Sequence, residues 1–283
     1  MQLRTRLTHY ACLIRLHKPI GILLLLWPTL WALWLASDGW PDTKILFVFV
    51  AGTILMRSAG CILNDLADRH VDGHVQRTKQ RPLVDGTVTT TEAFCLAGVL
   101  SLAAFLFVLL CNMLTIMLAV IGASIIILYP FLKRVTHLPQ LGLGVAFSWG
   151  VPMAFAAVTG EVGLFGWFLF LTCIIWPVIY DTMYAMVDRD DDLQIGIKST
   201  AILFGLMDRI IIGLLQTLFI VMLVIVGIMF HVEEIFYVCV AIAAGLFVYQ
   251  QWLIKDRDRD KCFKAFLNNN WVGLVIFIGV YFQ

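Results

Sequence analysis

Residues 45–72 read ILFVFVAGTILMRSAGCILNDLADRHVD. From Ile45 to Leu63 this stretch is apolar or small apart from Thr53, Arg57 and Ser58. That is close to the ~20 residues a helix needs to cross the hydrocarbon core of a bilayer. The run lacks the apolar–polar alternation of a barrel strand, so a spanning helix is the form that satisfies its backbone in lipid. The stretch then turns acidic, at Asn64, Asp65, Asp68 and Asp72. A membrane helix that ends in carboxylates is the central feature of this chain.

Runs of the same kind recur on both sides of it. The candidate spans are residues 19–36, 45–65, 92–111, 114–132, 139–158, 163–186, 210–229, 235–253 and 265–282. The whole chain is 61% hydrophobic and 14% charged, against about half and a quarter in soluble domains. The excess apolar surface must face lipid. The reading is an all-α integral membrane protein in which residues 1–283 form one polytopic domain of nine transmembrane helices. The first span is not a cleavable signal, because it holds Pro28 and three Trp and no small-residue cleavage site follows.

A net charge of +1 gives no electrostatic footprint for nucleic acid. The distribution of charge is more informative. With the N-terminus in the cytoplasm, all of the 20 lysines and arginines except Lys44 and Arg57 fall in the N-terminal segment or in inner loops. This agrees with the positive-inside rule and orients the chain with its N-terminus on the cytoplasmic side. The outer connections are short, so the unusual chemistry lies on the cytoplasmic side. The seven Cys have no C-x-x-C spacing and mostly sit in apolar runs, where they read as small hydrophobes. Nothing reads as an obligatory protein partner.

Two inner segments begin with Asp-Arg-x-x-Asp, at Asp68 and at Asp188, hinting at two similar halves around one cavity. On a helix, Asn64, Asp68 and Asp72 form one polar stripe and Asp188 and Asp192 another, with Asp181 seven residues before Asp188 on nearly the same face. Like charges four apart oppose helix formation, and more so beside lipid. A divalent cation offsets that cost. Mg2+ is usually held by one or two carboxylates plus substrate phosphates, so the two stripes are read as Mg2+ ligands around a diphosphate. Basic groups to bind that diphosphate are Arg69, Arg77, Lys79 and Arg81 after the first motif, Arg189 and Lys198 after the second, and Lys133 and Arg134 at the end of the fourth span, with Tyr129 one turn before Lys133. Topology alone also makes such loops basic.

Arg57 lies within a span, on the face of Asn64 and Asp68. An intramembrane Arg marks a function or a buried pair. Two readings stay open: it binds the carboxylate of an acidic acceptor, or it holds Asn64 or Asp68 by hydrogen bonds. Asp191, off the stripe of Asp188 and Asp192, is the candidate proton acceptor. Trp27, Trp31, Phe147 and Trp149 are candidate walls for an apolar ligand.

These residues carry a family resemblance. The chain resembles UbiA-type prenyltransferases, particularly their bacterial ubiquinone branch. The N-D-x-x-D-x-x-x-D pattern matches Asn64, Asp65, Asp68 and Asp72. The second D-x-x-x-D matches Asp188 and Asp192, and Y-x-x-x-K matches Tyr129 and Lys133. The stretches KPIGILLLLWPTLWALW at 18–34, RPLVDGTVT at 81–89 and YDTMYAMVDRDDDLQIGIKSTAILFG at 180–205 are similar to that branch as well. The resemblance implies nine helices around a cavity open to the cytoplasm and sideways to the bilayer. It implies Mg2+ held through diphosphate, a polyprenyl diphosphate donor lying along an apolar channel, and 4-hydroxybenzoate as acceptor. The same motifs would serve a naphthoate, a homogentisate or haem as acceptor. A carboxylate-based cation-coupled transporter is the alternative from another class; it calls for acidic residues near mid-bilayer, whereas these cluster at helix ends.

Overall fold

Helix ends in this chain are set by residues that satisfy orphan backbone groups. The computed structural model describes residues 2–69, 73 and 78–283. A short helix α1 (Gln2–Leu13) precedes α2 (Ile20–Ser37) and α3 (Thr43–Asp68). Asp42 caps α3 by accepting from the amides of Lys44 and Ile45. Helix α4 (Thr90–Val108) starts with a reciprocal capping box between Thr89 and Glu92. Helix α5 (Met113–Val135) is capped by Asn112. Next come α6 (Pro139–Ser148) and α7 (Gly150–Thr159), two halves of one span interrupted at Trp149. Helix α8 (Gly163–Ile195) is the longest. Helices α9 (Thr200–Phe204) and α10 (Asp208–Met229) make one span, and α11 (Glu234–Leu253) and α12 (Arg259–Tyr281) close the order.

Among the described residues there are no strands, and nine segments are long and apolar enough to cross a membrane. The chain is a multi-pass membrane protein. Each expected span is found, but the acidic motifs are more helical than expected. The sixth span, read as 163–186, continues to Ile195, so Asp188 and Asp192 sit inside α8 rather than in a loop. Gly196 ends it, in the left-handed conformation that favours glycine. Asp68 is likewise the last residue of α3.

The spans follow one another around a ring. Helix α3 packs on α4 and α5, α5 on α6 and α7, and α6 on α8. Helix α8 packs on α10, α10 on α11, α11 on α12, and α12 returns to α2. The seam between α2, α8 and α12 is aromatic. Trp31 stacks on Trp176 with centroids 5.2 Å apart, and Trp176 stacks on Phe219 at 6.2 Å. An indole N–H cannot be left unpaired in hydrocarbon, and each of these finds a partner on α12. Trp27 donates to Asn270 Oδ1, Trp176 to Asn269 Oδ1, and Trp31 to the Gly273 carbonyl. Gly273 is needed for this approach, because a Cβ there would run into Trp27 and Trp176. Trp27 and Trp31 are therefore packing residues of the ring seam, not walls of a ligand site.

Candidate active site

One end of the ring holds a polar cavity of about 360 Å3. Its walls come from α2, α3, α5, α6, α8 and α12. Arg57, Asn64, Asp68, Tyr129, Lys133, Asp188, Asp192 and Lys198 all line it. Residues that the sequence places far apart thus converge on one space. Asp72 and Arg77 lie outside the described residues.

The Asp68 carboxylate shows how the site is built. Its Oδ2 accepts from Asn64 Nδ2, at 3.2 Å, and from Lys133 Nζ. Its Oδ1 is buried and has no hydrogen-bond partner among the described residues. Buried carboxylate oxygens are normally satisfied, and Oδ1 is chemically suited to take a further donor or a cation. No three His, Cys, Asp or Glu side chains among the described residues cluster tightly enough to hold a cation by themselves. Carboxylates from two separate walls suit a cation that takes its remaining ligands from phosphate and water.

Asp65, next to Asp68 in the motif, plays a different part. It is only 1% exposed and pairs with Arg15 at 2.6 Å and Arg81 at 2.9 Å. Arg15 and Arg81 also line the cavity. Arg15 is held above its ordinary pKa: burial pulls it down, but the Asp65 carboxylate outweighs that. Asp65 thereby ties the segment before α2 and the segment before α4 to the end of α3.

Several expected site residues point elsewhere. Arg134 follows Lys133 on α5, but a helix turns about 100° per residue. Its guanidinium donates to the Ala67 carbonyl at the end of α3, not into the cavity. Arg69 donates to the Leu66 carbonyl. Both satisfy carbonyls at a helix C-terminus, where cations are favoured. Asp191 does not line the cavity either; it faces Arg259 at 3.6 Å, beside an Asp190–Arg259 pair at 3.1 Å. Arg189 is drawn to the fully buried Asp208, which also pairs with Arg257. Lys198 lines the cavity while its Nζ donates to the Val135 carbonyl.

Arg57 resolves one of its two readings. It does not hold Asn64 or Asp68. Its Nε donates to the Gly21 carbonyl at 3.2 Å and its Nη1 to Cys61 Sγ, and its guanidinium lies 5.9 Å from the Phe147 ring centroid. Gly21 leaves room for it, since a Cβ there would overlap Nη2. The guanidinium is thus fixed in the cavity wall, deeper than the carboxylates. Sequence reading missed Gln140, Tyr180, Tyr184 and Ser199 on this wall. Tyr184 has a visible signal, four residues before Asp188 on the same helix face; the others do not.

A second pocket, of about 170 Å3, adjoins the first. Leu25, Met56, Ile126 and Ala146 belong to both walls. Its remaining lining is nearly all apolar, including Val48, Phe49, Phe105, Val108 and Trp149. Of the aromatic walls expected, Phe147 borders the polar cavity and Trp149 the apolar pocket.

Residues 25–274 match the UbiA prenyltransferase family. The chain belongs to that family. This UbiA-family chain is 56% identical, over 99% of its length and 98% of the relative's, to the 4-hydroxybenzoate octaprenyltransferase of Coxiella burnetii (strain RSA 493 / Nine Mile phase I). It is 58% identical, over 95% and 94%, to the enzyme of the same name from Aliivibrio fischeri (strain ATCC 700601 / ES114). Its fold is that of a UbiA homologue from Aeropyrum pernix K1 solved without ligand, with TM-score 0.81, 24% identity, and 92% and 96% of the two chains covered. A UbiA homologue from Archaeoglobus fulgidus, solved with GPP and Mg2+, superposes with TM-score 0.71 at 16% identity over 95% and 99%.

Proposed function

We propose that this UbiA-family chain transfers a polyprenyl group from a polyprenyl diphosphate to 4-hydroxybenzoate, at the ring carbon ortho to the hydroxyl, with release of diphosphate. The observation that carries the reading is one cavity in which Asn64, Asp68, Asp188 and Asp192 meet Lys133 and Arg57, opening onto an apolar pocket. The full-length relatives named for this reaction support the acceptor.

The residues fit Mg2+ as the cofactor. Asp68, whose Oδ1 has no partner among the described residues, would hold the ion together with Asn64, Asp188 and Asp192 of the same cavity, and Asp72 is the further carboxylate of the sequence motif. The GPP and Mg2+ of the archaeal homologue support the same choice. Bound there, the cation would neutralise charge on the departing diphosphate without proton transfer.

The chain's own groups supply the rest. Lys133, ion-paired with Asp68, places a cation beside the leaving group. As the allylic C–O bond breaks, its electron pair leaves with the diphosphate and an allylic cation remains. Apolar walls from α2, α3 and α5 keep water from trapping that cation as an alcohol. The phenol ring attacks it, and the ring then loses a proton to a carboxylate. With Asp191 turned to Arg259, Asp181 on the cavity wall takes that role. Arg57 binds the acceptor's carboxylate. The prenyl chain enters the adjoining apolar pocket, and its remainder lies in lipid. The setting is a bacterial inner membrane with the N-terminus and the cavity mouth on the cytoplasmic side, supported by the side to which the basic segments sort.

The direct test is prenyl transfer in detergent with labelled polyprenyl diphosphate and 4-hydroxybenzoate, with and without EDTA. Product that forms on 4-hydroxybenzoate, and stops when Mg2+ is removed, supports the reading. No product from a folded protein, or full activity in excess EDTA, overturns it.

A further inference from the structure

Four buried side-chain atoms lack a hydrogen-bond partner among the described residues, and two of them belong to residues of the polar cavity. One is Asp68 Oδ1. The other is the hydroxyl of Tyr180, a residue only 1% exposed. A phenol is both donor and acceptor, and leaving it unpaired in a low-dielectric interior is costly. The ring itself is firmly seated. It meets Trp176 edge-on with centroids 5.4 Å apart and Phe266 at 6.0 Å. Tyr180 lines the cavity with its ring held in place and its buried hydroxyl unsatisfied among the described residues, so the hydroxyl is a group that a ligand on that wall can satisfy.

The position selects the ligand group. Tyr180 lies eight residues before Asp188 on α8, which at 1.5 Å per residue is about 12 Å along the axis. Arg57 lies eleven residues before Asp68 on α3, about 16 Å by the same measure. Both helices run toward the carboxylate end, so Tyr180 and Arg57 share the deep end of the cavity. The gap to the carboxylates accommodates a phosphoryl group followed by one benzene ring lying end-on. Asp181, Arg57 and Tyr129 line the same cavity as Tyr180. Of these, Arg57 is the cation, and it is already fixed by Gly21 and Cys61.

We infer that the Tyr180 hydroxyl and Arg57 together form the carboxylate subsite for the aromatic acid, with Tyr180 donating a hydrogen bond to one oxygen and Arg57 supplying the charge. This rests on the acceptor proposed above and adds the residue that makes the subsite selective. A neutral ring lacking the carboxylate would leave the Tyr180 hydroxyl unsatisfied and would give the Arg57 charge no counter-charge in a dry pocket, which is how sites reject such analogues.

The experiment compares wild type with Tyr180→Phe, which keeps the ring and its packing and removes one oxygen. Initial rates are measured with 4-hydroxybenzoate and with its methyl ester, at fixed and at varied polyprenyl diphosphate. The expected result is an acceptor KM about tenfold higher in Tyr180→Phe, a donor KM unchanged, and a preference for acid over ester about tenfold smaller. A tenfold change is the size of one hydrogen bond to a charged group. A merely structural role would leave the acid-to-ester ratio where it was, and that result overturns the inference, as does a rise confined to the donor KM. If wild type itself transfers nothing to 4-hydroxybenzoate, the proposed acceptor fails first and the subsite falls with it. An active wild type with an unmoved ratio in Tyr180→Phe removes the subsite alone.

Discussion

Lys133 donates to Oδ2 of Asp68, while Oδ1 of the same carboxylate is buried without a partner among the described residues. One oxygen is therefore committed to orienting the carboxylate, and the other is left for a ligand. Asp68→Asn keeps the shape and removes the charge. Turnover should fall at least a hundredfold, since groups aimed at developing charge are worth roughly 10²–10³ in rate. Asp188→Asn should do the same, and the residual activity of each should need more Mg2+ for half-saturation. A titration of rate against Mg2+ checks this, and wild-type activity in either variant would remove both residues from the metal–diphosphate site.

Arg57 and Gly21 form a matched pair. Gly21→Ala puts a methyl group where Arg57 Nη2 now lies. Either the guanidinium moves or α2 shifts, and such overpacking costs about 1–3 kcal/mol. The expected signature is a higher acceptor KM with the donor KM little changed, accompanied by a modest drop in melting temperature in detergent. A rise in the donor KM alone would contradict the assignment of Arg57 to the acceptor.

Asp65 is predicted to be structural. Two arginines share one nearly buried carboxylate. Removing the carboxylate breaks its ion pairs with both arginines, and breaking a buried pair costs about 3–5 kcal/mol. Asp65→Asn should therefore lower thermal stability far more than Asp188→Asn does. Thermal unfolding of both variants in the same detergent separates the two roles; equal stability would place Asp65 with the ligands instead.

The apolar pocket makes a prediction about donor length. Gly52 lines it, and a Cβ added there meets nothing within 4 Å. Gly52→Phe should fill the pocket with little strain. It should raise KM for long prenyl diphosphates while sparing a two-isoprene donor. Comparing geranyl and long-chain donors in parallel is the check, and a uniform effect on both would place the chain along another route.

The acidic motifs were legible because their logic is local. Residues four apart share a helix face whatever the rest of the fold does, so Asn64 with Asp68 and Asp188 with Asp192 could be paired from spacing. Spans were legible for a similar reason: in lipid the backbone must satisfy itself within each segment. Basic residues were harder. Lys133 and Arg134 are neighbours of equal charge, yet one reaches Asp68 and the other caps the end of α3. Only the rotation of α5 against α3 separates them.

Sequence by itself therefore determined the membrane class, the nine apolar segments, the orientation argued from charge, and the two carboxylate stripes, all of which depend on short-range periodicity and composition. The tertiary structure decided which groups share the cavity. It turned Asp191 toward Arg259 and Asp65 toward two arginines, fixed Arg57 on Gly21 and Cys61, and brought Tyr180, whose hydroxyl has no partner among the described residues, to the same wall. Those outcomes depend on contacts between helices distant in the chain, and pairwise spacing along one helix carries no information about which face a second helix presents to it.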